Sequence, residues 1–376
     1  MMIRIGIVFG GRSGEHEVSV RSAATVIREI DRTRYLPIPI AVDNHGMWQR
    51  PADSLRYLPI DVRETLAEDI KSLPSGEITL PGDTKFKGLC VFGEKEKETV
   101  FLDVIFPVLH GTYGEDGTIQ GLFEMADIPY VGCGVLASSC GMDKAVMKIL
   151  FEAEQLPICR HVWFLRSEWE RDPAAVVLKI ESSLGYPCFV KPANLGSSVG
   201  VSRADSAEPL EKAIDLAAEY DRKIIVEEAL DMREIECAVI GNDDPEASLP
   251  GEYIIRDKEK KFLDYTEKYA GTGNNEFVVP APISEELSQK IRDMAVRAFR
   301  SIDGSGLARV DFFLRNDTGT LLINEINTLP GLTDASGFPK MWAGSGKSFS
   351  AVIDELVELA FARHKDKSRT KTSFDK

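Results

Sequence analysis

Two apolar stretches near the C-terminus, separated by a polar turn, constrain the fold of this chain more than any other feature. They occupy residues 309–314 and 321–327, and the segment between them, 315–320, is rich in Asn, Asp, Thr and Gly. Turn residues between two strand-like runs are typical of a β-hairpin. The sequence therefore predicts a pair of antiparallel strands close to the end of the chain.

Three oxygen-bearing side chains lie on these predicted strands. Glu325 and Asn327 are two residues apart and share a face, because side chains alternate across a strand, and Asp311 on the other strand can face the same way. Carboxylate and amide oxygens suit Mg²⁺ that also binds phosphate. The pattern predicts a metal site, and a strand face tied together by salt bridges or hydrogen bonds remains the alternative.

Composition narrows the class of protein. The chain has 376 residues, which predicts two or three domains. Its net charge of −15 argues against general binding to nucleic acid or anionic membranes, and no apolar run is long enough to span a bilayer. The N-terminus runs directly into a strand without signal-peptide architecture. The cysteines lie in apolar contexts without a C-x-x-C pair, which favours reduced core residues of a cytoplasmic protein.

The N-terminal third has the pattern of an open α/β domain. Residues 3–9 predict a buried parallel strand, a glycine loop and a helix follow, and residues 35–42 predict a second strand. Further strand-like runs occupy 101–109 and 128–131. The polar segment 53–100 is interpreted as a peripheral elaboration with a charged hairpin tip.

The rest of the chain predicts alternating helices and strands up to residue 227 and a more antiparallel pattern beyond it. Ser350 is predicted to cap the final helix. The charged residues from His364 onward are predicted to be disordered. These patterns divide the chain into an N-terminal domain (1–134), a central segment (135–227), a C-terminal segment (228–365) and a tail (366–376).

A loop rich in small residues suggests phosphate binding. Residues 189–192 form a predicted strand, 194–200 form a glycine-serine loop, and 199–202 begin a return strand. Such a loop brings backbone N–H groups close to phosphate, and Lys191 adds charge. Lys144, at a predicted helix start, is a weaker second cation. A plain hairpin turn beside a surface lysine is the alternative. The stretch 344–348 only partly matches a Walker A motif and is set aside.

Seven motifs occur in one order over nearly the whole chain, up to about residue 362. They are GGRSGEHEVS (10–19), HGTYGEDGTIQG (110–121), YVGCG (130–134), GMDK (141–144), VKPANLGSSVG (190–200), DYTEKY (264–269) and NEINTLPG (324–331). Together they resemble the D-alanine–D-alanine ligases of the ATP-grasp superfamily.

The resemblance implies a fold and an activity. The fold would be α/β, with an α+β C-terminal part: an ATP-grasp fold preceded by an open parallel α/β domain. ATP would phosphorylate the carboxylate of one D-Ala, and the amine of a second D-Ala would displace the phosphate to make a peptidoglycan precursor. The resemblance also implies two Mg²⁺ or Mn²⁺ ions, possible K⁺ dependence, a homodimer in the bacterial cytoplasm, and no nucleic-acid or membrane partner.

The resemblance also implies roles for individual residues. Those implied to bind metal are Asp311, Glu325 and Asn327, and those implied to bind ATP are Lys144, Lys191, Ser198, Glu227, Glu228, Leu230, Glu234 and Asn324. Those implied to act on the reacting groups or on D-Ala are Glu17, His110, Ser197, Lys268, Tyr269, Arg309, Gly331 and Ser336.

In these implied roles, Arg309 and the Gly331 N–H stabilise the oxyanion. Lys268 and Ser336 hold the carboxylate of the second D-Ala. Tyr269 hydrogen-bonds with Glu17 and Ser197, and Glu17 also holds the ammonium group of the first D-Ala.

Several alternatives remain open. Glu17 is also suited to stabilise a helix N-terminus, and His110 to be a buried structural histidine. The polar segment 257–275 is either a lid over the phosphates or an ordinary exposed loop. Tyr269 favours D-Ala over D-lactate as the second substrate and leaves D-serine open. A ligase with another acceptor is the second hypothesis. A catalytically dead nucleotide-binding regulator is the third, and the intact metal trio argues against it.

Overall fold

The computed structural model of this chain describes residues 2–74, 76–93, 97–196, 199–255 and 275–371. The strands are β1 (Ile3–Gly10), β2 (Tyr35–Val42), β3 (Glu77–Thr79), β4 (Gly88–Phe92), β5 (Lys97–Phe101), β6 (Val104–Val108), β7 (His161–Leu165), β8 (Cys188–Pro192), β9 (Ser202–Ala204), β10 (Lys223–Glu228), β11 (Met232–Gly241), β12 (Glu246–Ala247), β13 (Gly251–Ile255), β14 (Asn275–Val278), β15 (Gly306–Arg315) and β16 (Leu321–Asn327). The helices are α1 (His16–Glu29), α2 (Pro51–Ser54), α3 (Ile60–Ile70), α4 (Thr118–Ala126), α5 (Val135–Met142), α6 (Lys144–Ala153), α7 (Arg166–Arg171), α8 (Pro173–Ser183), α9 (Ala207–Tyr220), α10 (Glu285–Ser301), α11 (Gly337–Gly344) and α12 (Phe349–Lys367), with a 3-10 helix at Leu55–Tyr57.

The N-terminal part is a parallel sheet in the order β2-β1-β6, as the apolar runs predicted. Helix α1 packs against it and contributes Ala23, Val26 and Ile27 to the core. The predicted strand at 128–131 is wrong, because only Tyr130 pairs there, in an isolated bridge to Ile105. The predicted strand at 101–109 is divided between the end of β5 and β6.

The turn from β1 into α1 requires glycine at position 10. Gly10 has a φ of +90°, and a Cβ there would lie 2.3 Å from the carbonyl oxygen of Val42. The Gly10 N–H donates to Ser19 Oγ at 2.7 Å, so the first helix and the loop are tied together. This turn places the start of α1 at the carboxyl ends of β1 and β2, where ligands gather in open α/β sheets.

The described residues of the segment 53–100 include the end of α2, the 3-10 helix, helix α3 and a small antiparallel sheet in the order β3-β4-β5. The β4–β5 pairing confirms the predicted hairpin, and residues 94–96 lie outside the described residues. Leu66 of α3 joins the core of the N-terminal sheet, and Leu89 and Val91 of β4 pack with the other face of that sheet. The elaboration is therefore packed onto the domain.

The central segment contains an antiparallel sheet in the order β7-β10-β8-β9. Helices α8 and α9 cover it and bury Ile180, Leu210 and Ile214. Strands β8 and β9 flank the glycine-serine loop, as predicted, although the return strand begins at Ser202 and not at residue 199. Lys191 lies near the end of β8, so it is close to the start of the glycine-serine loop, at the same end of the sheet.

The C-terminal sheet has the order β14-β13-β11-β15-β16, with β12 paired to β11, and its pairings are antiparallel. Strands β15 and β16 form the predicted hairpin. Asp311 is paired with Glu325 and Arg309 with Asn327, and the register shifts between Asp311 and Phe312. Helix α10 covers one face of the sheet and buries Ile291, Ala295 and Phe299 with Val310 and Phe312.

The last helix corrects two predictions. Its N-cap is Ser348, whose side chain accepts from the Ala351 N–H at 3.2 Å, and not Ser350. The helix continues to Lys367, so the residues from His364 to Lys367 are helical and not part of a disordered tail. Residues 372–376 lie outside the described residues. The apolar stripe of α12 (Val352, Ile353, Leu356) packs with the core of the N-terminal sheet.

None of the described helices has both the length and the apolar composition needed to cross a membrane. The division of the chain into domains and segments after residues 134, 227 and 365 stays a prediction.

The two serines at the start of α12 offer a direct test of the cap. Replacing Ser348 with Ala should lower the free energy of unfolding by about 1 kcal/mol, because the Ala351 N–H loses its acceptor. The matched control Ser350→Ala should change it by less than about 0.5 kcal/mol. Urea unfolding of the three proteins measures both values. An equal loss in the two variants would exclude Ser348 as the cap.

Candidate active site

The described residues enclose a cavity that is lined by the N-terminal part, the central sheet and the C-terminal sheet. The N-terminal part contributes Glu15 and His110, the central sheet contributes Lys191 and Glu227, and the C-terminal sheet contributes the hairpin β15–β16. Lys144 at the start of α6 and Gly331 after β16 also line it. The cavity thus brings together side chains that are far apart in the sequence.

The hairpin presents its polar face to this cavity. Asn327 Nδ2 donates to Asp311 Oδ2 at 3.0 Å, and Glu325 is the register partner of Asp311. Arg309, two residues before Asp311 on the same face, donates from Nε and NH2 to the two Asp311 carboxylate oxygens, each at 2.6 Å. Glu236 of β11 lies 3.5 Å from Arg309 Nε. The three residues predicted to bind metal and the ion pairs of the alternative interpretation therefore occur together on the β15–β16 hairpin.

Lys144 connects the helix start to the hairpin. Its Nζ lies 3.6 Å from Glu325 Oε2 and donates to the carbonyl oxygen of Leu195 at 2.8 Å. Asp143 caps α6 by accepting from the N–H groups of Ala145 and Val146, each at 3.1 Å. The cap fixes the first turn of the helix, so the Lys144 amine is held between the glycine-serine loop and β16.

Lys191, Glu227 and Lys148 form a cluster of three ionised groups. Lys191 Nζ donates to Glu227 Oε2 at 2.6 Å, and Lys148 Nζ lies 2.9 Å from Glu227 Oε1. Burial alone would raise the pKa of the Glu227 carboxyl, but Lys148 and Lys191 lower it below its ordinary value. Burial alone would lower the pKa of either lysine, but Glu227 raises both above the ordinary value. All three groups are thus charged at neutral pH.

The walls near these charges are apolar. Phe189, Leu230, Met232 and Phe313 line the cavity, as does Glu234. Apolar walls with a few placed polar groups are typical of small-molecule and cofactor sites. Two more residues predicted to bind ATP, Glu228 and Asn324, also line the cavity. The Glu228 carboxylate accepts from the Arg160 backbone N–H and from its Nε, each at 2.9 Å.

The opposite end of the cavity is built around His110. Its Nε2 lies 3.0 Å from Ser22 Oγ, and its Nδ1 lies 3.1 Å from the carbonyl oxygen of Leu329. Burial alone would lower the pKa of the imidazole, but the carboxylates of Glu115, 3.5 Å away, and Glu15 raise it above its ordinary value. Ser22 Oγ also accepts from the Leu332 N–H at 3.2 Å, which fixes the turn that carries Gly331.

Glu17 does not take its predicted place. It is exposed in the first turn of α1 and does not line the cavity, whereas Glu15 does. Residues two apart at a helix start point in nearly opposite directions, so only one of the two can face the cavity. The Glu15 carboxylate packs against the glycine-serine loop, where a Cβ on Gly196 would lie 2.8 Å from Glu15 Oε1.

Ser336 does not line this cavity either. It is buried, and its hydroxyl lies 2.8 Å from Thr333 Oγ1 and accepts from the Thr333 N–H at 3.1 Å. Four further predicted residues, Ser197, Ser198, Lys268 and Tyr269, lie outside the described residues, as does most of the predicted lid segment 257–275.

Sequence reasoning missed Lys148 and Glu236 as well as Glu15. Lys148 is four residues after Lys144 in α6, and that spacing places both on one helix face. Glu236 is two residues after Glu234 in β11, so the two share a strand face. For Lys148 and Glu236 these spacings were a usable signal, since each shares a face with a predicted residue, whereas no such signal selected Glu15 over Glu17.

Two family models of known proteins match this chain over most of its length. The sequence model described as "D-ala D-ala ligase N-terminus" matches residues 4–133, and that described as "D-ala D-ala ligase C-terminus" matches residues 150–358. The chain belongs to the D-alanine–D-alanine ligase family. The resemblance inferred from the seven motifs is therefore confirmed, together with the ATP-grasp fold class.

Relatives in this ligase family are similar over their whole length. The chain is 48% identical to the D-alanine–D-alanine ligase of Ruminiclostridium cellulolyticum, with 98% of each chain covered. It is 46% identical to that of Heliobacterium modesticaldum, covering 98% of this chain and 97% of the relative.

Two solved structures share the fold. The D-alanine–D-alanine ligase from Coxiella burnetii has a TM-score of 0.79 at 32% identity, with 98% of this chain and 97% of that one covered. The VanG D-Ala:D-Ser ligase from Enterococcus faecalis has a TM-score of 0.80 at 32% identity, with 96% of this chain and all of that one covered.

Members of this ligase family use ATP and divalent metal, and the hairpin face has a suitable donor set. Asp311, Glu325 and Asn327 offer hard oxygen ligands of the kind that Mg²⁺ prefers. Among the described residues, no group of three or more His, Cys, Asp or Glu side chains is arranged to hold a metal by itself. Mg²⁺ usually takes only one or two carboxylates and completes its coordination with phosphate and water, so this donor set fits.

Proposed function

We propose that this chain ligates two D-alanines to D-alanyl-D-alanine, coupled to cleavage of ATP to ADP and phosphate. The observation that carries the proposal is one cavity lined by two lysines, Lys144 and Lys191, and by the acidic face of the β15–β16 hairpin, in a member of this ligase family. Cations beside hard oxygen ligands suit a nucleotide triphosphate with its metal. The bacterial relatives favour a role in peptidoglycan synthesis in the cytoplasm. The homodimer stays a prediction.

The nucleotide would lie along the central and C-terminal sheets. The adenine ring fits between the apolar walls, with its amino group toward the Glu227 carboxylate and the ribose toward Glu234. Lys144 and Lys191 would bind the phosphates. Asp311, Glu325 and Asn327 would hold the metal ions, which neutralise charge on the phosphates when bound. The remaining work of the protein is positioning and charge stabilisation.

The reaction needs no protein nucleophile. An oxygen of the first D-Ala carboxylate attacks the γ-phosphorus and ADP leaves, which forms an acyl phosphate. The neutral amine of the second D-Ala then attacks the acyl carbon. The tetrahedral intermediate loses one proton from the nitrogen and expels inorganic phosphate, which leaves a peptide bond. Arg309 and the Gly331 N–H are the donors proposed for the oxyanion, since both residues line the cavity.

The first D-Ala would bind at the His110 end. Glu15 is proposed to hold its ammonium group in place of Glu17, because Glu15 lines the cavity beside His110 and the glycine-serine loop. The hydrogen-bonded link predicted for Glu17, Ser197 and Tyr269 would then run through Glu15. Lys268 and Ser336 remain the residues proposed for the second carboxylate.

Phosphate release tests the proposed function directly. Purified protein with ATP and Mg²⁺ should release phosphate with D-Ala and not with L-Ala, and mass spectrometry should detect the dipeptide. D-serine and D-lactate, supplied together with D-Ala, test other acceptors. Equal phosphate release with L-Ala, or a mixed product formed in preference to D-alanyl-D-alanine, would contradict the proposal.

Replacing Glu325 with Gln should lower kcat by about 100-fold or more, because one charge is lost from the proposed metal site. The matched control is Asp317→Asn, which removes an exposed carboxylate paired with Arg315 at the turn of the same hairpin. Steady-state kinetics in saturating Mg²⁺ compare the two. A Glu325→Gln variant as active as the control would remove Glu325 from the metal site.

The two glutamates at the start of α1 separate the corrected role from the predicted one. Glu15→Gln should lower kcat/KM for D-Ala roughly 10- to 150-fold, since a hydrogen bond to a charged group contributes about 1.5–3 kcal/mol. Glu17→Gln removes the same charge one half-turn away and should leave kcat/KM within about twofold. The reverse order of effects would restore Glu17 as the substrate-binding residue.

A further inference from the structure

Lys148 is a buried lysine for which the proposed reaction has no role. Its side chain is 0% exposed, on the second turn of α6. Its Nζ lies 2.9 Å from Glu227 Oε1 and donates to the carbonyl oxygen of Asn324 at 3.2 Å and to Cys159 Sγ at 3.5 Å. Burying an ammonium group costs several kcal/mol unless it is well paired, so these contacts determine whether the charge is tolerated.

The position of Lys148 differs from that of Lys191. Both lysines contact the Glu227 carboxylate, but Lys191 lines the cavity and Lys148 does not. Lys148 therefore contacts Glu227 from behind, within the protein. One carboxylate between two ammonium groups leaves a net charge of +1, and only Lys191 is placed to bring that charge to a ligand.

Glu227 has an oxygen suited to a ligand donor. The carboxylate is 3% exposed and lines the cavity. Its Oε2 accepts from Lys191, and its Oε1 lies 2.9 Å from Lys148 Nζ. An ionised carboxylate has about four lone-pair sites, so Glu227 can accept a further hydrogen bond from a ligand in the cavity. An amino group on a bound planar ring is a donor of the right chemistry.

The same ammonium group reaches the metal-binding strand. Asn324, whose carbonyl accepts from Lys148, directly precedes Glu325 in β16. Lys148 thus joins three elements at one point: helix α6, the end of β10 and the start of the acidic face of β16. The nucleotide-base end of the cavity and the hairpin are connected through one side chain.

We propose that Lys148 is a positioning residue for nucleotide binding: it neutralises Glu227 from behind, so that Glu227 accepts from the adenine amino group and Lys191 keeps its charge for the phosphates. This inference rests on the proposed use of ATP. Without Lys148, Glu227 and Lys191 would neutralise each other, and the phosphates would lose one of their two cations.

The first experiment compares ADP and adenosine, two ligands that differ only in the phosphates. In Lys148→Met, the affinity for ADP should fall at least about tenfold more than the affinity for adenosine, as measured by calorimetry in Mg²⁺. KM for ATP should rise in step, with kcat at saturating ATP within about threefold and KM for D-Ala unchanged. A proportionate loss of both affinities would indicate a structural role only.

A charge-neutral double variant provides the rescue. In Lys148→Met/Glu227→Gln, Lys191 no longer faces a carboxylate, so the ratio of ADP affinity to adenosine affinity should return to the parent value. Of the three charges, the double variant keeps that of Lys191 alone, at the cavity, where phosphate can pair with it. A ratio that stays about tenfold below the parent value would overturn the proposal.

Lys347→Met is the control for the loss of a paired lysine away from the cavity, because Lys347 forms ion pairs with Glu246 and Glu355 and does not line the cavity. Its ADP-to-adenosine ratio should equal that of the parent, and a matching fall would overturn the proposal. Failure of the parent protein to bind ADP would instead refute the proposed function. Normal ADP binding by the parent and by Lys148→Met alike would refute only the role of Lys148.

Discussion

The alternation of side chains along β15 is the constraint on which both the C-terminal core and the cavity depend. Val310, Phe312 and Leu314 are buried on one face, while Arg309 and Asp311 reach the cavity from the other. Strand β15 pairs with β11 on one side and with β16 on the other, so both neighbours fix its register. A slip of one residue would bury the carboxylate and expose the apolar set.

Charge compensation explains how so many ionised groups share one cavity. Arg309 is paired with Asp311 and lies near Glu236, and Lys191 is paired with Glu227. Each buried ion therefore has a partner inside the protein, which limits the cost of removing it from water. The same partners orient the groups, so that a ligand meets charges that are already in place. Preorganised charge of this kind is the main source of rate in phosphoryl transfer.

The local features of the chain could be predicted from its sequence. The hairpin and the shared face of Glu325 and Asn327 depend only on strand alternation and a turn, and both occur within residues 306–327. The first β-α-β unit follows from buried apolar runs in the same way. The family could be recognised because its motifs follow one another in order over the whole chain.

Features set by packing between distant elements could not be predicted. Whether Glu15 or Glu17 faces the cavity depends on how α1 is rotated against the glycine-serine loop, which no local pattern specifies. The burial of Lys148 depends on β10 and β16 closing over α6. Ser348 and Ser350 are equally suited to cap a helix by composition, and the preceding turn, 345–347, decides between them.

The central claim is that the acidic face of the hairpin binds metal in the same cavity that binds the nucleotide. Crystals grown with ADP and Mn²⁺ test it, because anomalous scattering locates manganese independently of the protein. The account predicts anomalous peaks within bonding distance of Asp311, Glu325 and Asn327, with adenine beside Glu227. Manganese bound only elsewhere, with ADP in the cavity and the Asp311 carboxylate still paired with Arg309, would contradict it.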